Sequence, residues 1–293
     1  MGMALRNAGW AAVAVAVAEA AAAAAPAQAS ASGPLALYYE RSLMSAAHAR
    51  CGLFSGDIAA ALDASAAQAR GAALRGGADM STVRATFSRA SARVDEVGCA
   101  SPDLKIAAQR VRSAFEIWSK TARMSWPGES ATWTADRTAY RSAQWKLVQP
   151  AKAGQAPVRF GLGGRGSSAV LLAVADFGPG ARPYAARLVF RDVDRAPAAW
   201  LGAPANRPLP PRSASRVLLA RDEAAAEAGL SPGGRDGSLA FRFPDQAVEA
   251  LAGLDPRERF AVEFVFPGER VQTAALEVGD FAAGRAFLRM GSR

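Results

Sequence analysis

Histidine and cysteine are nearly absent from this 293-residue chain, with one of the first and two of the second, and the shortage narrows its chemistry. A tetrahedral zinc site needs about four ligands; His48-x-x-Cys51 offers two, and no second histidine exists. Serine hydrolysis ordinarily needs an imidazole beside the nucleophile, and His48 lies in an alanine-rich helical stretch with no identifiable serine or orienting acid. No G-x-S-x-G elbow, S-x-x-K sequence, Cys-x-x-Cys pair or D-x-D-x-D-G calcium loop occurs. The reading therefore carries no catalytic residue, no cofactor and no metal. Lysine is scarce too, at four of 35 basic residues. The net charge of +9 is spread evenly, with 16 basic and 11 acidic side chains in residues 1–150 and 19 and 15 in the remainder. A nucleic-acid binder concentrates such an excess on one element, so no nucleic-acid partner is expected.

Beyond the first thirty residues no apolar run is long enough to span a bilayer. Those thirty are organised differently. Arg6, an Ala/Val-rich run over 8–25, Pro26 and then Ala27-Gln28-Ala29 follow the order of a secretory signal peptide, which assigns residues 1–29 to a leader cleaved after Ala29 or Ala31. An uncleaved anchor is the alternative, because the run approaches membrane-spanning length. No cysteine stands at the exit to take a lipid. Cleavage predicts a periplasmic or secreted protein, without stable membrane insertion, of about 262 residues.

In an oxidising compartment the two thiols, Cys51 and Cys99, are expected to pair. Between Leu35 and Arg123 the pattern predicts four helices. The first stops at Cys51-Gly52. The second carries Ile58, Leu62, Ala66, Ala69 and Ala73 behind a cap at Ser55 or Asp57, and the third Val83, Phe87, Ala90, Val94 and Val97. Ser101-Pro102-Asp103 opens the fourth, whose face is Leu104, Ala108, Val111, Phe115, Trp118 and Ala122. In an up-down-up-down bundle the first and third helices are parallel, which places both cysteines at one pole.

From Trp145 onward the period becomes two. Trp145 and Leu147, then Val158, Phe160 and Leu162, occupy alternate positions, and 169–177, 185–191, 216–221, 239–243, 260–266 and 271–278 read as further strands. Short helices are expected over 222–229, 244–251 and 281–288, with a proline-rich loop over 196–215. The fold class is α+β: an antiparallel four-helix module over 34–124, a Trp-rich connector over 125–144, and a mainly antiparallel β domain, in the manner of a β-sandwich, over 145–293. The order strand, short helix, strand, tight turn, strand, Gly-Asp-Phe, helix over Phe241 to Leu288 resembles the end of the small periplasmic domains typified by invasion-associated locus B, although this half lacks the cysteine pair such a domain carries. The whole chain resembles uncharacterised exported alphaproteobacterial proteins. Neither resemblance implies catalytic residues.

Gly161-Leu-Gly163-Gly164-Arg165-Gly166 has the G-x-G-x-x-G spacing of a pyrophosphate loop, but that loop must lead into a helix, and the Val/Leu run that follows reads as strand. A glycine-rich hairpin is the expectation. Asp192 and Asp194, with Asp95-Glu96, Asp222-Glu223 and Glu258, are the candidate carboxylates; Arg191 and Arg195 bracket the first pair, as in a salt-paired turn. Trp118, Trp126, Trp133, Tyr140 and Trp145 cluster where the helical period gives way to the strand period. They serve either to pack the two parts together or as an aromatic platform for a ligand such as a sugar. With the residues of common hydrolytic, redox and metal chemistry missing, the expected function is a non-catalytic binding or interaction role with an envelope protein or glycan. The alternative is a carboxylate-dependent envelope hydrolase.

Overall fold

The computed structural model describes residues 33–180, 182–203, 207–233 and 237–292, so the leader assigned to residues 1–29 lies outside the described residues. Four helices come first: α1 (Pro34–Cys51), α2 (Gly56–Arg75), α3 (Met80–Glu96) and α4 (Pro102–Ser119). Pro34 and Pro102 start α1 and α4 at positions where no amide hydrogen is needed. Gly52 ends α1 in the left-handed conformation, donating its amide to His48 O at 2.8 Å. His48 completes that end: its Nδ1 accepts the Phe54 amide at 3.0 Å, and its ring stacks on Phe54. Asp79 caps α3 by accepting the Thr82 amide at 2.6 Å, whereas Ser55 and Ser101 occupy cap positions without a side-chain cap bond.

Cys51 and Cys99 form a disulfide, with Cα atoms 5.6 Å apart, where the C-terminal ends of α1 and α3 meet. The helices do not close into a square bundle. α1 packs against α2 and α3, and α2 against α4. Ala61, Leu62, Ala64, Ser65, Ala69, Gly71, Ala73 and Leu74 of α2 are all buried, far more than one stripe, because this helix is covered on several sides. Its small residues allow that closeness.

The strands are β1 (Arg123–Pro127), β2 (Thr132–Asp136), β3 (Gln144–Ala153), β4 (Ala156–Gly164), β5 (Val170–Ala175), β6 (Ala185–Arg191), β7 (Ser215–Leu219), β8 (Asp222–Ala225), β9 (Leu239–Arg242), β10 (Arg259–Val265) and β11 (Val271–Glu277). Helices α5 (Gln246–Gly253) and α6 (Phe281–Leu288) flank the last two strands. Every pairing is antiparallel, in the order β7-β6-β10-β11-β3-β4-β5-β9-β8, and the β1/β2 hairpin is joined to β3. The segment read as a Trp-rich connector thus contains this hairpin.

The two edge strands, β7 and β8, are one stretch of chain. Ala220 donates to Ala186 O of β6, the partner strand of β7, at 2.9 Å, and the following Arg221 donates to Arg242 O of β9 at 2.7 Å. Successive amides of a strand point to opposite sides, so at this step the chain has a neighbour on each side and the sheet is rolled shut. Counting β7 and β8 as one, eight strands run round the barrel. A barrel of that size has an interior that side chains can fill. Phenylalanines fill it: Phe160 on β4 meets Phe260 on β10 at 5.1 Å, and Phe241 on β9 meets Phe264 on β10 at 5.6 Å, pairs that are not sheet neighbours. This rolled sheet replaces the two stacked layers of a sandwich.

Two further expectations change, and the glycine-rich hairpin is found as expected. Residues 222–225 are strand, where the Asp-Glu-Ala-Ala composition favours helix, because their backbone completes pairing with Leu239 to Arg242. A bulge at Lys146 puts Trp145 and Leu147 on opposite faces: Leu147 joins the barrel core, and Trp145 packs outside it with Leu172, Val174 and Leu230. The G-x-G-x-x-G segment is the end of β4 and its hairpin into β5, with Gly161 at φ 152°. A Cβ at Gly161 would lie 2.0 Å from Leu147 O, so the glycine permits the backbones to approach.

Helices and barrel share a core. Ala61 and Ala64 of α2 are buried in one cluster with Trp126, Trp133, Leu147, Phe281 and Phe287. The buried guanidinium of Arg137 clamps the junction, donating to the carbonyls of Ser119, Thr121, Met290 and Gly291 at 2.7–3.1 Å. It also lies over the Phe287 ring.

Candidate functional site

The face of α4 that the sequence assigns to the core is only partly covered. Leu104 and Ala108 are buried, but Val111, Phe115 and Trp118 are only half-buried. Near the disulfide, Met44 and Ala47 of α1 meet Leu104 and Ala108; further along, α4 leans on α2 instead and leaves a groove. Its cavity volume is about 610 Å³, floored by Leu43, Met44, Leu62, Val111 and Phe115, with Trp118 in its wall. A second hollow of about 410 Å³ shares Leu43, Met44 and Ala107 with it and continues to Leu104, Val97 and Asp103. Leu104 and Trp118 are separated by roughly 21 Å of helix. The volume falls in the ordinary range of ligand sites, roughly 300–1,000 Å³.

Charge is placed at the Trp118 half. Arg41 donates to Ser65 O at 2.8 Å across the groove, and burial lowers its pKa from the ordinary arginine value despite nearby Glu40. Arg110 on α4 has no hydrogen-bond or ion-pair partner among the described residues. An apolar trough flanked by two arginines, one of them partly desolvated, is chemically suited to an apolar chain that carries an acidic group.

The five aromatic candidates do not form one platform. Trp126 and Trp133 are directly opposed across the β1/β2 hairpin, at 3% and 1% exposure, and pack on Phe287 and Phe281. They are core. Trp118 touches Phe115 and Phe287, linking the groove wall to α6 and the barrel. Tyr140 and Trp145 lie on the outer surface of the barrel and line a separate hollow of about 420 Å³. Trp145 donates its indole N–H to Leu230 O at 2.9 Å, and Tyr140 O–H donates to Asp136 at 3.2 Å.

Most of the candidate carboxylates are taken by arginines. Glu258 is buried and accepts both Nε and Nη2 of Arg191, at 2.5 and 2.9 Å, and also the Trp200 and Asp255 amides. Arg191 reaches on to the Ala196 and Pro197 carbonyls, so this pair straps the start of the proline-rich loop to the barrel. Asp192 faces Arg195 at 3.5 Å and Asp194 faces Arg216 at 3.3 Å. Asp95, Glu96 and Glu223 pair with Arg50, Arg93 and Arg182.

Sequence reasoning passed over Arg41, Arg110 and Gln149. For the arginines the available signal was a cation bordering the apolar stripe, as at Arg110, which immediately precedes Val111. Gln149 gave no signal beyond a polar residue at a core position. No protein-family model matches this chain, and neither the curated proteins nor the solved structures contain a match.

Proposed function

We propose that this chain is an exported, non-catalytic binding protein of the bacterial cell envelope, and that its binding element is the groove between α1, α2 and α4. The observation that carries the reading is the half-buried apolar face of α4 at Val111, Phe115 and Trp118, which lines an open groove in an otherwise packed helical layer. The occupant best suited to it is an amphipathic helix of a partner protein, laid in the groove by its apolar face, with an acidic residue against Arg41 and Arg110. Export is supported by the Cys51–Cys99 disulfide, and among the described residues no helix is long and apolar enough to cross a membrane. The mature chain is then periplasmic, and the order of elements from β9 through α6 is compatible with an invasion-associated locus B-like origin for that part. The arginine pairing of Glu258, Asp192 and Asp194 favours a structural use of these carboxylates over hydrolysis.

A photo-crosslinking residue placed at Val111 of the oxidised chain, in the envelope of the producing cell, tests this. The expected result is a dominant adduct with one protein, lost on Phe115→Glu and absent when the crosslinker sits at exposed Ser113. Equal labelling from positions 111 and 113 overturns the groove reading. Release of soluble muropeptides from peptidoglycan by the purified protein, abolished in Glu258→Gln, overturns the non-catalytic one.

A further inference from the structure

We propose that the outer hollow of the barrel is a second binding site, specific for a sugar acid, in which Arg159 takes the carboxylate. The hollow follows from strand alternation. Trp133 and Ala135 of β2, Leu147 of β3, and Val158 and Phe160 of β4 point into the barrel, so Thr132, Thr134, Val148, Pro150 and Arg159 point out. Thr134 lies beside Val148, and Pro150 beside Arg159. Gly161, opposite Val148, adds no side chain, and the space is left as a cavity of about 420 Å³ edged by Tyr140, Gln144 and Trp145.

The charges of this hollow are unequal in their commitments. Burial works to raise the pKa of Asp136, but hydrogen bonds from Thr138, Arg123 and Tyr140 outweigh it and hold the carboxyl below its ordinary value. Asp136 is therefore ionised and locally balanced, accepting the Thr138 amide at 2.8 Å and Arg123 Nε at 2.9 Å. Arg159 is not balanced. It is half-buried and, among the described residues, has no hydrogen-bond or ion-pair partner. A half-buried guanidinium that lines a hollow and has no partner in the chain is matched best by the planar, two-oxygen acceptor of a carboxylate.

The surroundings choose among carboxylates. The Thr132 and Thr134 hydroxyls and the Gln144 amide can exchange hydrogen bonds with ligand hydroxyls, while Val148, Pro150 and the edge of Trp145 offer apolar surface to ring C–H groups. A simple fatty carboxylate would leave the threonine hydroxyls unused, and the ammonium of an amino acid would find the one lining carboxylate, Asp136, already taken by Arg123, Tyr140 and the Thr138 amide. A neutral sugar would leave Arg159 unpaired. A uronic acid residue satisfies both. The site shares no lining residue with the helical groove, so either reading stands or falls without the other.

Titration of the oxidised protein with D-galacturonate and D-glucuronate, followed by backbone amide NMR and calorimetry, tests the proposal, with D-galactose and acetate as the comparison probes. The expected result is saturable shifts at Thr134, Val148 and Arg159 with at least one sugar acid, and much weaker effects with both comparison probes. Arg159→Met should lower the affinity about tenfold or more, and Thr134→Val several-fold, with thermal unfolding unchanged because neither side chain holds the fold together. Acetate matching the sugar acid would mean a bare anion site and overturns the inference. So does an Arg159→Met protein that binds as well as the parent, or the absence of any saturable shift up to millimolar ligand.

Discussion

Replacing Gln149 with leucine probes the seam of the barrel. Between β3 and β11 the backbone ladder is reduced to one pairing, Ala153 with Ala274, because β2 occupies the edge of β3 further along. Gln149, fully buried on β3, spans the gap with its side chain: Oε1 accepts the Glu277 amide at 2.9 Å and Nε2 donates to Glu277 O at 3.3 Å. The carboxamide thus stands in for a missing peptide group. Leucine fills the same space but makes neither bond. Glu277 O keeps the Trp133 indole N–H at 3.2 Å, whereas the Glu277 N–H is orphaned in a dry place. Two neutral hydrogen bonds at about 1 kcal/mol each, plus the cost of one buried unpaired donor, less the gain from added apolar burial, come to roughly 2–3 kcal/mol. For a domain of this size that corresponds to a fall in Tm of about 5–10 °C. Urea denaturation followed by tryptophan fluorescence gives the free energy, and hydrogen exchange at the Glu277 amide gives the local effect, with exposed Lys152→Ala as the neutral reference. A Gln149→Leu protein within about 0.5 kcal/mol of the parent, its Glu277 amide still protected, would refute the idea that this side chain completes the sheet.

Other perturbations test other links. Reducing the Cys51–Cys99 bond, which closes a loop with a sequence separation of 48, should cost about 4 kcal/mol by denatured-state entropy; a change below about 1 kcal/mol on Cys51→Ser/Cys99→Ser, measured by urea titration, contradicts that account. Gly161→Ala drives a Cβ to 2.0 Å from Leu147 O, so a loss of about 3 kcal/mol or outright failure to fold is expected, and a parent-like Tm would show that β3 and β4 separate freely. Asp280 is buried beside Arg75; burial raises its pKa above the ordinary carboxylate value, and the Arg75 contact at 2.8 Å opposes this only in part. A raised folded-state value means that the protonated group's contribution to stability is fully present below the unfolded value of 3.8 and is lost as pH rises through the folded one. Measured by denaturation at a series of pH values, the stability of the parent relative to Asp280→Asn should therefore decline from pH 3.5 to neutrality; a flat or rising difference contradicts the burial argument.

What the sequence discloses and what it withholds divide along one line, whether the information is local. β6 at 185–191 and α6 at 281–288 have the bounds that period and flanking turn residues assign, because each carries its own apolar rhythm and punctuation. The cysteine pairing is legible because the chain has only two thiols, and helix count and direction agree with it by placing the C-terminal ends of α1 and α3 at one pole. β8 is misread because Asp-Glu-Ala-Ala has helical propensity, and only the distant strand β9 supplies the partner that overrides it. The bulge at Lys146 is silent for a related reason: alternation predicts which residues share a face only while the register is unbroken, so Trp145 and Leu147 part company without any change in composition.

A stripe such as Leu104, Ala108, Val111, Phe115 and Trp118 states that a helix face seeks cover; it does not say which surface supplies the cover. Here α2 covers the inner edge of that face, α1 covers its N-terminal half, α6 touches Trp118, and the remainder is only partly covered. Core residues and binding residues are chemically one class, separated by how the neighbouring helix happens to lean. That is why the aromatic set could be found by inspection of the sequence but not sorted. Trp126 and Trp133 lost their exposure to the hairpin and α6, Trp118 kept part of it along the groove, and Tyr140 with Trp145 ended on the opposite, outward side of the barrel wall. A groove formed in this way should be sensitive to helix tilt. Substitutions that draw α4 toward α1 would bury Val111 and Phe115, raise stability and abolish binding together, the inverse coupling expected when a site is built from core left uncovered.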